Sequence, residues 1–419
     1  MKHVIEFVSP ADYGDVRNRK VARYLKSRGF SLSFVGWDRG KKSANSDLFE
    51  SIKYILKGGG ECNKVTPLYY CMFIFKVFIR YLFADKNTSK KLLYAVNFEA
   101  AFAIWLASKF RKVNYTYDIW DELALSHSFP KMIKKFIRFF DKKIRKSAVF
   151  YIHVDTNRVS DIDNSNYVIV YNSPYDYYKQ QPEYSLENSF AVTGYFSNVR
   201  GLESILEFAK NNKDIKFIVI GEFLNKNTEH EYLNMPNVEY YHFMPQEQLF
   251  EKIRNCRGIF SLYDPKLEIN QLAASNKLYD AMMLGIPIIV NNEIKVADYV
   301  KKNDIGFCVN YIFDNSWQDL VNYSEQVFIQ KGKNGRMLYE QNYEFSTMAD
   351  KSMLPKLAAH FNITLSNKQL PPPYNSHEQT LVQEYLNRFP KYFVNQRLSL
   401  GNSSLFECNI LSFRERGAA

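Results

Sequence analysis

The sequence predicts an α/β protein with two domains, each a doubly wound parallel sheet with helices on both faces. Short apolar runs typical of buried strands alternate with amphipathic stretches typical of helices, which is the order that a parallel sheet requires. This alternation stops near residue 173 and starts again near residue 190. The chain has 419 residues, more than the roughly 100 to 200 residues of an ordinary single domain.

Strand-like runs precede residue 173, and helical stretches lie between most of them. In order, the runs are HVIEFVS, SLSFVG, LLYAVN, VNYTYDIW, AVFYIHV and VIVYNSP. The first helix is predicted over about residues 15–28, where Gly29 ends it. These elements predict a first domain of residues 1–172. Residues 173–189 contain two prolines and follow neither the helical nor the strand period, so we interpret them as a linker.

The second half repeats the alternation with the strand-like runs FAVTGYF, IKFIVIGEF, GIFSLY and IPIIV. Helices are predicted from about Arg200, near Gln246 and near Ser275, which gives a second domain of residues 190–345. Residues 346–365 are expected to form a helix that packs back toward the first domain. Residues 366–419 include a run of three prolines that breaks helices, and the sequence assigns this tail no role.

Composition excludes several classes of protein. Hydrophobic residues make up 46% of the chain and charged residues 24%, which excludes a wholly disordered protein. The five cysteines show no paired spacing for a zinc site or a disulfide framework, so a reducing compartment fits best. The N-terminal apolar run is too short and too polar for a signal peptide. We therefore expect a cytoplasmic protein.

Positive charge is concentrated in the first half of the chain. Residues 1–150 hold 29 Lys and Arg against 13 Asp and Glu, whereas the remaining residues hold 26 against 31. A one-sided charge of this kind indicates an anionic partner, either a membrane surface or a nucleic acid. Because no nucleic-acid recognition motif accompanies the charge, no nucleic-acid partner is expected.

Residues 131–147 predict a basic amphipathic helix with eight basic side chains and one acid. Its apolar residues at helical spacing are Ile133, Phe136, Ile137, Phe140 and Ile144. Such a helix can make peripheral contact with an anionic membrane, although the same stripe would also serve as an ordinary core face. Residues 68–84 are apolar but carry Lys76 and Arg80 near their centre, so they are not expected to span a membrane.

The segment from Ser275 to Pro287 follows a buried strand and a long polar loop, and another buried strand comes after it. Ser275 and Asn276 are N-cap residue types, so the amides of the next turn would point into the crevice above the sheet, where anions bind. Lys277 and Asp280 share one side of this helix. The lysine suits a diphosphate, and the carboxylate suits the hydroxyls of a ribose. The alternative is that the two residues form a solvated surface pair.

This segment resembles the nucleotide-binding region of glycosyltransferase family 4, whose members read roughly Lys-x-x-Glu-Ala-Met-x-x-Gly-x-Pro. The matching residues are Lys277, Asp280, Ala281, Met282, Gly285 and Pro287, with Asp280 in place of the usual Glu. The resemblance implies the GT-B fold, in which two Rossmann-like domains face each other across a cleft. Many members carry another Glu that contacts the donor sugar, and here that position is Leu272. Residues able to replace it from the loop are Glu268, Asn270 and Gln271.

A second match is VTGYFSNVRGLESIL, which is similar to the family's strand, basic loop and helix around the donor phosphates. The resemblance implies phosphate contacts from Gly194, Arg200 and Gly201. Where many members have a further Arg, this chain has Phe196. The alternative for Arg200 is an ordinary surface residue in the first turn of a helix.

The N-terminal half resembles the family more loosely. Gly14 follows the first strand, where a small residue lets backbone amides approach a diphosphate or the acceptor. Relatives often carry a His near the reacting sugar at the position of Trp120. Among the nearby polar residues, Asp121 is our candidate for orienting an acceptor hydroxyl; the alternative is that Asp121 and Glu122 only charge a helix N-terminus.

The resemblance implies transfer of a sugar from a nucleoside diphosphate sugar to the hydroxyl of a saccharide or lipid-linked saccharide, with retention of the anomeric configuration. The pathway it implies is assembly of a bacterial capsule, O-antigen or exopolysaccharide. No metal motif occurs, so we expect no metal and no cofactor besides the nucleotide-sugar co-substrate, with Arg200 and Lys277 stabilising the departing diphosphate. Two other functions stay open: a GT-B sugar-nucleotide 2-epimerase and a non-catalytic nucleotide-sugar-binding protein of the same fold.

Overall fold

The computed structural model of the chain describes residues 3–39, 47–59, 66–84, 91–126, 129–156, 166–178, 185–272 and 275–364. In these residues the fold is α/β, with two parallel sheets and helices that connect their strands. The fold class expected from the alternation of strand-like and helical runs is confirmed.

The first sheet consists of β1 (Val4–Ser9), β2 (Ser31–Asp38), β3 (Ser51–Lys57), β4 (Leu92–Val96), β5 (Asn114–Ile119), β6 (Tyr151–His153) and β7 (Tyr167–Ile169). The described helices between these strands are α1 (Val16–Ser27), α2 (Thr66–Leu82), α3 (Asn97–Ser108), α4 (Leu123–Ser126) and α5 (Lys131–Ser147). The strand order is β3-β2-β1-β4-β5-β6-β7. Because β1 pairs with both β2 and β4, the direction of winding reverses at β1.

Local sequence explains these elements. Every residue of β4 is buried, as expected for a parallel strand that is covered on both faces. Helix α1 begins after Asp15, whose carboxylate accepts a hydrogen bond from the Arg17 amide at 3.0 Å. It ends before Gly29, which adopts the left-handed conformation with φ of +84° that closes many helices. The helix predicted over about residues 15–28 is confirmed.

The second sheet consists of β8 (Glu187–Phe196), β9 (Lys216–Phe223), β10 (Val238–Tyr241), β11 (Cys256–Ser261), β12 (Ile288–Asn291) and β13 (Gly306–Val309). Its helices are α6 (Leu202–Asn211), α7 (Lys226–Leu233), α8 (Gln246–Ile253), α9 (Glu268–Gln271), α10 (Asn276–Leu284), α11 (Val296–Asn303), α12 (Asp319–Asn322), α13 (Glu325–Leu338) and α14 (Phe345–Phe361). The strand order is β10-β9-β8-β11-β12-β13. The winding therefore reverses between β8 and β11.

By their internal contacts the described residues divide into two compact units, one up to Thr116 and one from Tyr117 to His360. Phe361, at the end of α14, belongs to the first unit, where its ring lies 4.9 Å from that of His3 and 5.7 Å from that of Phe30, centroid to centroid. The domain boundaries expected from the sequence stay predictions, and residues 366–419 lie outside the described residues.

Within the predicted linker the structure describes residues 173–178 and 185–189, and β8 begins at Glu187. The stretch 173–178 is irregular but anchored to α13. Arg336 is 2% exposed, and its guanidinium pairs with the carboxylate of Asp176. The same guanidinium donates hydrogen bonds to the carbonyl oxygen of Tyr178 at 3.0 Å and to that of Met283 at 2.6 Å. A buried arginine needs such partners because an unpaired buried charge is costly. This segment is thus held by the helices of the second sheet.

Among the described helices, none is both long and apolar enough to cross a membrane. This agrees with the expectation for the apolar helix α2, where Lys76 donates a hydrogen bond to the carbonyl oxygen of Ile55 and Arg80 pairs with Glu6.

Candidate functional site

The candidate site lies at the carboxyl ends of β8 and β11, where the winding of the second sheet reverses. Loops that leave two neighbouring strands in opposite directions open a crevice at such a point, and ligands of α/β proteins bind there. The loop after β8 carries Arg200, the loop after β11 carries Tyr263, and α10 begins beside them with Lys277 in its first turn.

Two glycines shape the floor of this crevice. Gly194 and Gly221 are register partners in β8 and β9, and both have positive φ, +110° and +152°. A Cβ at position 221 would lie 1.8 Å from the carbonyl oxygen of Gly194, so no other residue fits there. A Cβ at position 194 would lie 3.6 Å from the Nζ of Lys277. The lysine ammonium therefore lies directly above the Gly194 backbone.

Arg200 ends a short 3-10 turn, Asn198–Arg200, and Gly201 then starts α6. Gly201 has a φ of +64°, and a Cβ there would lie 2.8 Å from the side chain of Leu262. Gly201 thus allows the loop after β8 to pack tightly against the loop after β11. The Nη1 atom of Arg200 is buried and has no hydrogen-bond partner within the described residues. Such a buried donor is suited to an incoming acceptor.

Ser275 caps α10 as predicted, because its side chain accepts a hydrogen bond from the Lys277 amide at 3.2 Å. Lys277 is partly buried. Desolvation lowers the pKa of its ammonium, and the positive charge of Arg200 lowers it further, while Tyr263 and Asp280 oppose both effects. A partly desolvated lysine beside a second cation suits an anionic ligand.

Tyr263 lies beside both cations and is 8% exposed. The Cζ atom of Arg200 lies 4.2 Å from the centroid of its ring. Burial alone would raise the pKa of this phenol, but the charges of Arg200 and Lys277 and hydrogen bonding to Ser275 lower it to about 8. The electrostatic potential of the crevice is therefore strongly positive.

The other polar residues of α10, Asn276 and Asp280, have partners from elsewhere in the same unit. The side chain of Gln246 donates a hydrogen bond to the Asp280 carboxylate at 3.4 Å. The side chain of Asn172 donates to Asn276 at 3.1 Å. Helix α8 therefore helps α10 to position Asp280 at the edge of the crevice. The alternative, in which Lys277 and Asp280 form a solvated surface pair, does not fit because Lys277 is partly buried.

Three positions that depart from the resembling family have structural explanations. Phe196 is 2% exposed and packs on Phe223, with ring centroids 4.6 Å apart, so it belongs to the core of the second sheet. Trp120 donates a hydrogen bond from Nε1 to the buried carboxylate of Asp118 at 2.8 Å. Leu272 follows α9 and lines a small cavity with Ile269. The side chain of Glu268 lies outside the described residues.

The remaining predicted residues are Asp121 and Gly14. Asp121 is an exposed residue directly after Trp120. Gly14 belongs to the unit that ends at Thr116, and its amide donates a hydrogen bond to the Asp12 carboxylate at 2.8 Å. The structure thus brings together Gly194, Arg200, Gly201, Ser275 and Lys277, with Asp280 and Asn276 on the same helix.

Sequence reasoning missed Tyr263 and Gly221. Both stand at the carboxyl end of a strand-like run, GIFSLY and IKFIVIGEF, and that position next to the point of reversed winding was the available signal. The chemistry of the arrangement follows from its charges, because two cations, a glycine floor and the N-terminus of α10 make a positively charged crevice that suits an anion.

The second sheet and its helices match a known family. Residues 194–331 match the profile of the family described as glucosyltransferase 3-like, C-terminal domain. The matched range begins at Gly194 and contains Arg200, Tyr263 and Lys277. A search of curated protein sequences gives no match.

Solved structures share the fold over most of the chain. Sucrose-phosphate synthase from Thermosynechococcus elongatus is similar with a TM-score of 0.64 at 12% identity, over 87% of this chain and 100% of that one. Anabaena HepE in complex with UDP has a TM-score of 0.59 at 14% identity, over 86% and 100%. A Listeria monocytogenes protein assigned as a UDP-N-acetylglucosamine 2-epimerase has a TM-score of 0.57 at 10% identity, over 88% and 100%. These similarities establish the GT-B fold, and residues 194–331 resemble the C-terminal domain of a glucosyltransferase family.

Proposed function

We propose that this enzyme transfers a glycosyl unit from a nucleoside diphosphate sugar to an acceptor hydroxyl. The observation that carries the proposal is the approach of Arg200 and Lys277 to one glycine-lined crevice at the point of reversed winding. A diphosphate matches that crevice in charge, and the structural neighbour HepE was solved with UDP. The donor of this enzyme is accordingly a nucleotide sugar.

In the reaction, the bond between the anomeric carbon and the β-phosphate oxygen breaks, and the acceptor oxygen forms the new bond to that carbon. The acceptor proton passes to the leaving phosphate oxygen. Arg200, Lys277 and the amides at the start of α10 stabilise the negative charge that develops on the diphosphate, a fixed electrostatic role that needs no movement during the reaction. We propose retention of configuration and no metal or other cofactor besides the nucleotide-sugar co-substrate.

The other predicted residues have roles at the two ends of the donor. Asp280 binds the hydroxyls of the ribose, and Asn276 supports the first turn of α10 next to the diphosphate. Asp121 orients the acceptor hydroxyl. The loop that contains Gly14 contributes backbone to the acceptor side.

The acceptor proposed here is a saccharide or lipid-linked saccharide of a bacterial surface polysaccharide, with the enzyme on the cytoplasmic face of the cell membrane. Helix α5 supports this location. Its buried residues are Ile137 and Ile144, whereas four other apolar side chains are exposed: Met132, Ile133, Phe136 and Phe139. The predicted apolar stripe is therefore divided, with one face in the core and another in solvent among eight basic residues.

The membrane proposal is tested with a double variant of α5. Phe136→Ser with Phe139→Ser should weaken co-sedimentation with vesicles that contain anionic lipid by about tenfold or more, because each exposed aromatic ring contributes roughly 1 kcal/mol of interfacial burial. The matched control replaces the exposed Phe243 with Ser, outside this helix. Equal sedimentation of the α5 variant and the wild type would contradict contact through α5.

The sugar-nucleotide 2-epimerase is kept as a second candidate because one structural neighbour is assigned that activity. The two functions differ in their need for an acceptor. The purified protein is incubated with UDP, GDP, CDP and dTDP sugars, with and without membrane lipids as acceptor. Release of nucleoside diphosphate only with acceptor supports transfer. Conversion of the sugar without acceptor identifies an epimerase, and binding with neither result identifies a non-catalytic binding protein.

A further inference from the structure

Tyr263 is buried between the two cations of the proposed diphosphate pocket, and no role has yet been assigned to its hydroxyl. Its backbone amide donates a hydrogen bond to the side-chain oxygen of Asn291 at 2.9 Å, and Asn291 is fully buried. The ring is held from the other side by the guanidinium of Arg200, whose Cζ lies 4.2 Å from the ring centroid. The position of Tyr263 is therefore fixed by the fold before any ligand arrives.

The charged groups near Tyr263 come from three elements. The turn after β8 supplies Arg200, helix α10 supplies Lys277 with Asp280 one turn later, and the loop of Tyr263 itself continues with Asp264. Both cations approach the ring, and one buried nitrogen of Arg200 lacks a hydrogen-bond partner in the described part of the chain. Two cations held this close repel each other, so a negative charge between them is stabilised.

Ser275 completes the environment of the hydroxyl. Its oxygen accepts the hydrogen bond from the Lys277 amide, which leaves its own hydrogen free to be donated to the Tyr263 oxygen. Together these effects lower the pKa of the Tyr263 hydroxyl to about 8. Burial without such cations acts in the opposite direction, since it raises the pKa of Tyr232.

We propose that Tyr263 is a further diphosphate ligand, whose hydroxyl donates a hydrogen bond to a phosphate oxygen held between Arg200 and Lys277. The inference rests on the proposed nucleotide-sugar site. Above about pH 8 the hydroxyl of the empty pocket is a phenolate, which is a counter-charge of Arg200 and Lys277 and takes up a proton from solvent as the diphosphate enters. In the complex the diphosphate replaces it in that role, and the reprotonated hydroxyl donates a hydrogen bond to a phosphate oxygen.

The proposed role of Tyr263 also supplies a phosphate contact for which the resembling family has an arginine and this chain has none. Members of the resembling family often have an arginine where Phe196 stands, and Phe196 is a core residue. The hydroxyl of Tyr263, in the loop after β11, supplies a further phosphate contact from a neutral group. The pocket then holds the diphosphate with two cations and one hydroxyl donor.

The direction of the pH dependence follows from the charge that the ligand brings. The diphosphate raises the pKa of Tyr263, so the bound state holds more protons than the free state above about pH 8. The affinity of the protein for the diphosphate is therefore highest below that pH. It falls as the pH rises further, by up to about tenfold per pH unit. Deprotonation of Lys277 acts in the same direction, so a variant that removes only the phenol is needed to separate the two.

The test measures the ultraviolet absorbance of tyrosinate between about pH 7 and about pH 9, with and without inorganic pyrophosphate or the tightest-binding nucleoside diphosphate. Wild type should show one tyrosine that ionises near pH 8, and bound diphosphate should shift that ionisation upward by about one pH unit or more. Tyr263→Phe should lack this ionisation. The control Tyr232→Phe, which removes a buried hydroxyl bonded to the Leu202 carbonyl, should retain it.

The outcomes separate this inference from the function on which it rests. If wild type shows no such ionisation, or if bound diphosphate leaves it unchanged, the role of Tyr263 is overturned while the diphosphate site stands. If neither pyrophosphate nor any nucleoside diphosphate binds, the site itself is overturned and the inference with it. Because the wild-type titration decides these points, the test does not depend on the folding of Tyr263→Phe.

Discussion

The loops that follow the first strand of each sheet occupy equivalent places in their folds and carry opposite charge. After β1, the carboxylate of Asp12 accepts hydrogen bonds from the Gly14 amide at 2.8 Å and from the Tyr54 hydroxyl at 2.7 Å. After β8, Arg200 presents a buried nitrogen without a partner among the described residues, and Lys277 lies over Gly194. The fold sets the place of a site, and the side chains decide which ligand it accepts.

The two loops also differ in how far their charged side chains are already hydrogen-bonded. After β1, the Asp12 carboxylate accepts hydrogen bonds from its own unit and would repel an anion. After β8, one buried nitrogen of Arg200 has no partner among the described residues. We therefore predict that substitutions at Arg200 and Lys277 weaken donor binding, whereas substitution of Asp12 mainly changes stability.

The largest effect is expected for Lys277→Ala. Removal of one charged group that stabilises a developing anion costs about 100- to 1,000-fold in turnover. Transfer is measured as release of nucleoside diphosphate in the presence of acceptor. The matched control is Lys302→Ala in the last turn of α11, where the side chain is exposed, and this variant should retain the wild-type rate. If a folded Lys277→Ala protein kept wild-type turnover, the proposed difference in diphosphate binding between the two loops would be contradicted.

Gly221→Ala is expected to have a smaller effect, which acts through the structure of the crevice floor. The added Cβ would lie 1.8 Å from the Gly194 carbonyl oxygen at a φ that favours glycine, so we expect a loss of about 3 kcal/mol in the free energy of unfolding and weaker diphosphate binding. Gly306→Ala is the control, because its Cβ would lie 2.0 Å from the Ile288 carbonyl oxygen, on the strand pair away from Gly194. Urea unfolding should give a similar loss for both, whereas only Gly221→Ala should affect binding measured below its unfolding transition.

The smallest effect is expected in the first loop, for Asp12→Asn. The hydrogen bonds from Gly14 and Tyr54 then lose their charged acceptor, which costs about 1 to 2 kcal/mol of stability. The affinity for nucleoside diphosphates should stay within about twofold of wild type because the two proposed cationic ligands, Arg200 and Lys277, are unchanged. A loss of diphosphate affinity comparable with that of Lys277→Ala would show that the two loops share one site.

Much of the fold could be predicted from the sequence because long apolar runs mark strands buried on both faces. The strands β8, β9, β11 and β12 coincide with such runs. Edge strands were missed: β3 has the sequence SIKYILK and mixes exposed with half-buried positions, and β10 and β13 have only four residues each. Their pairing depends on neighbours that are distant in sequence, so local periodicity does not reveal them.

The candidate site was predictable where its residues act through local geometry. Ser275 caps a helix and Lys277 follows at a fixed spacing, and both properties are visible in the sequence. Tyr263 was not predictable, because its chemistry comes from Arg200 in the turn after β8 and from Lys277 on α10, both distant from it in sequence. The substitution of Phe196 for an expected arginine suggested a missing ligand, whereas packing on Phe223 shows a core residue.

Calorimetric titration with nucleoside diphosphates tests whether Arg200 and Lys277 form one diphosphate site. At least one of UDP, GDP, CDP and dTDP should bind wild type, and Arg200→Ala and Lys277→Ala should each weaken this binding by about tenfold or more. The effects of the two substitutions should not be additive, because both groups contact the same ligand. Unchanged affinity in both variants would contradict the account.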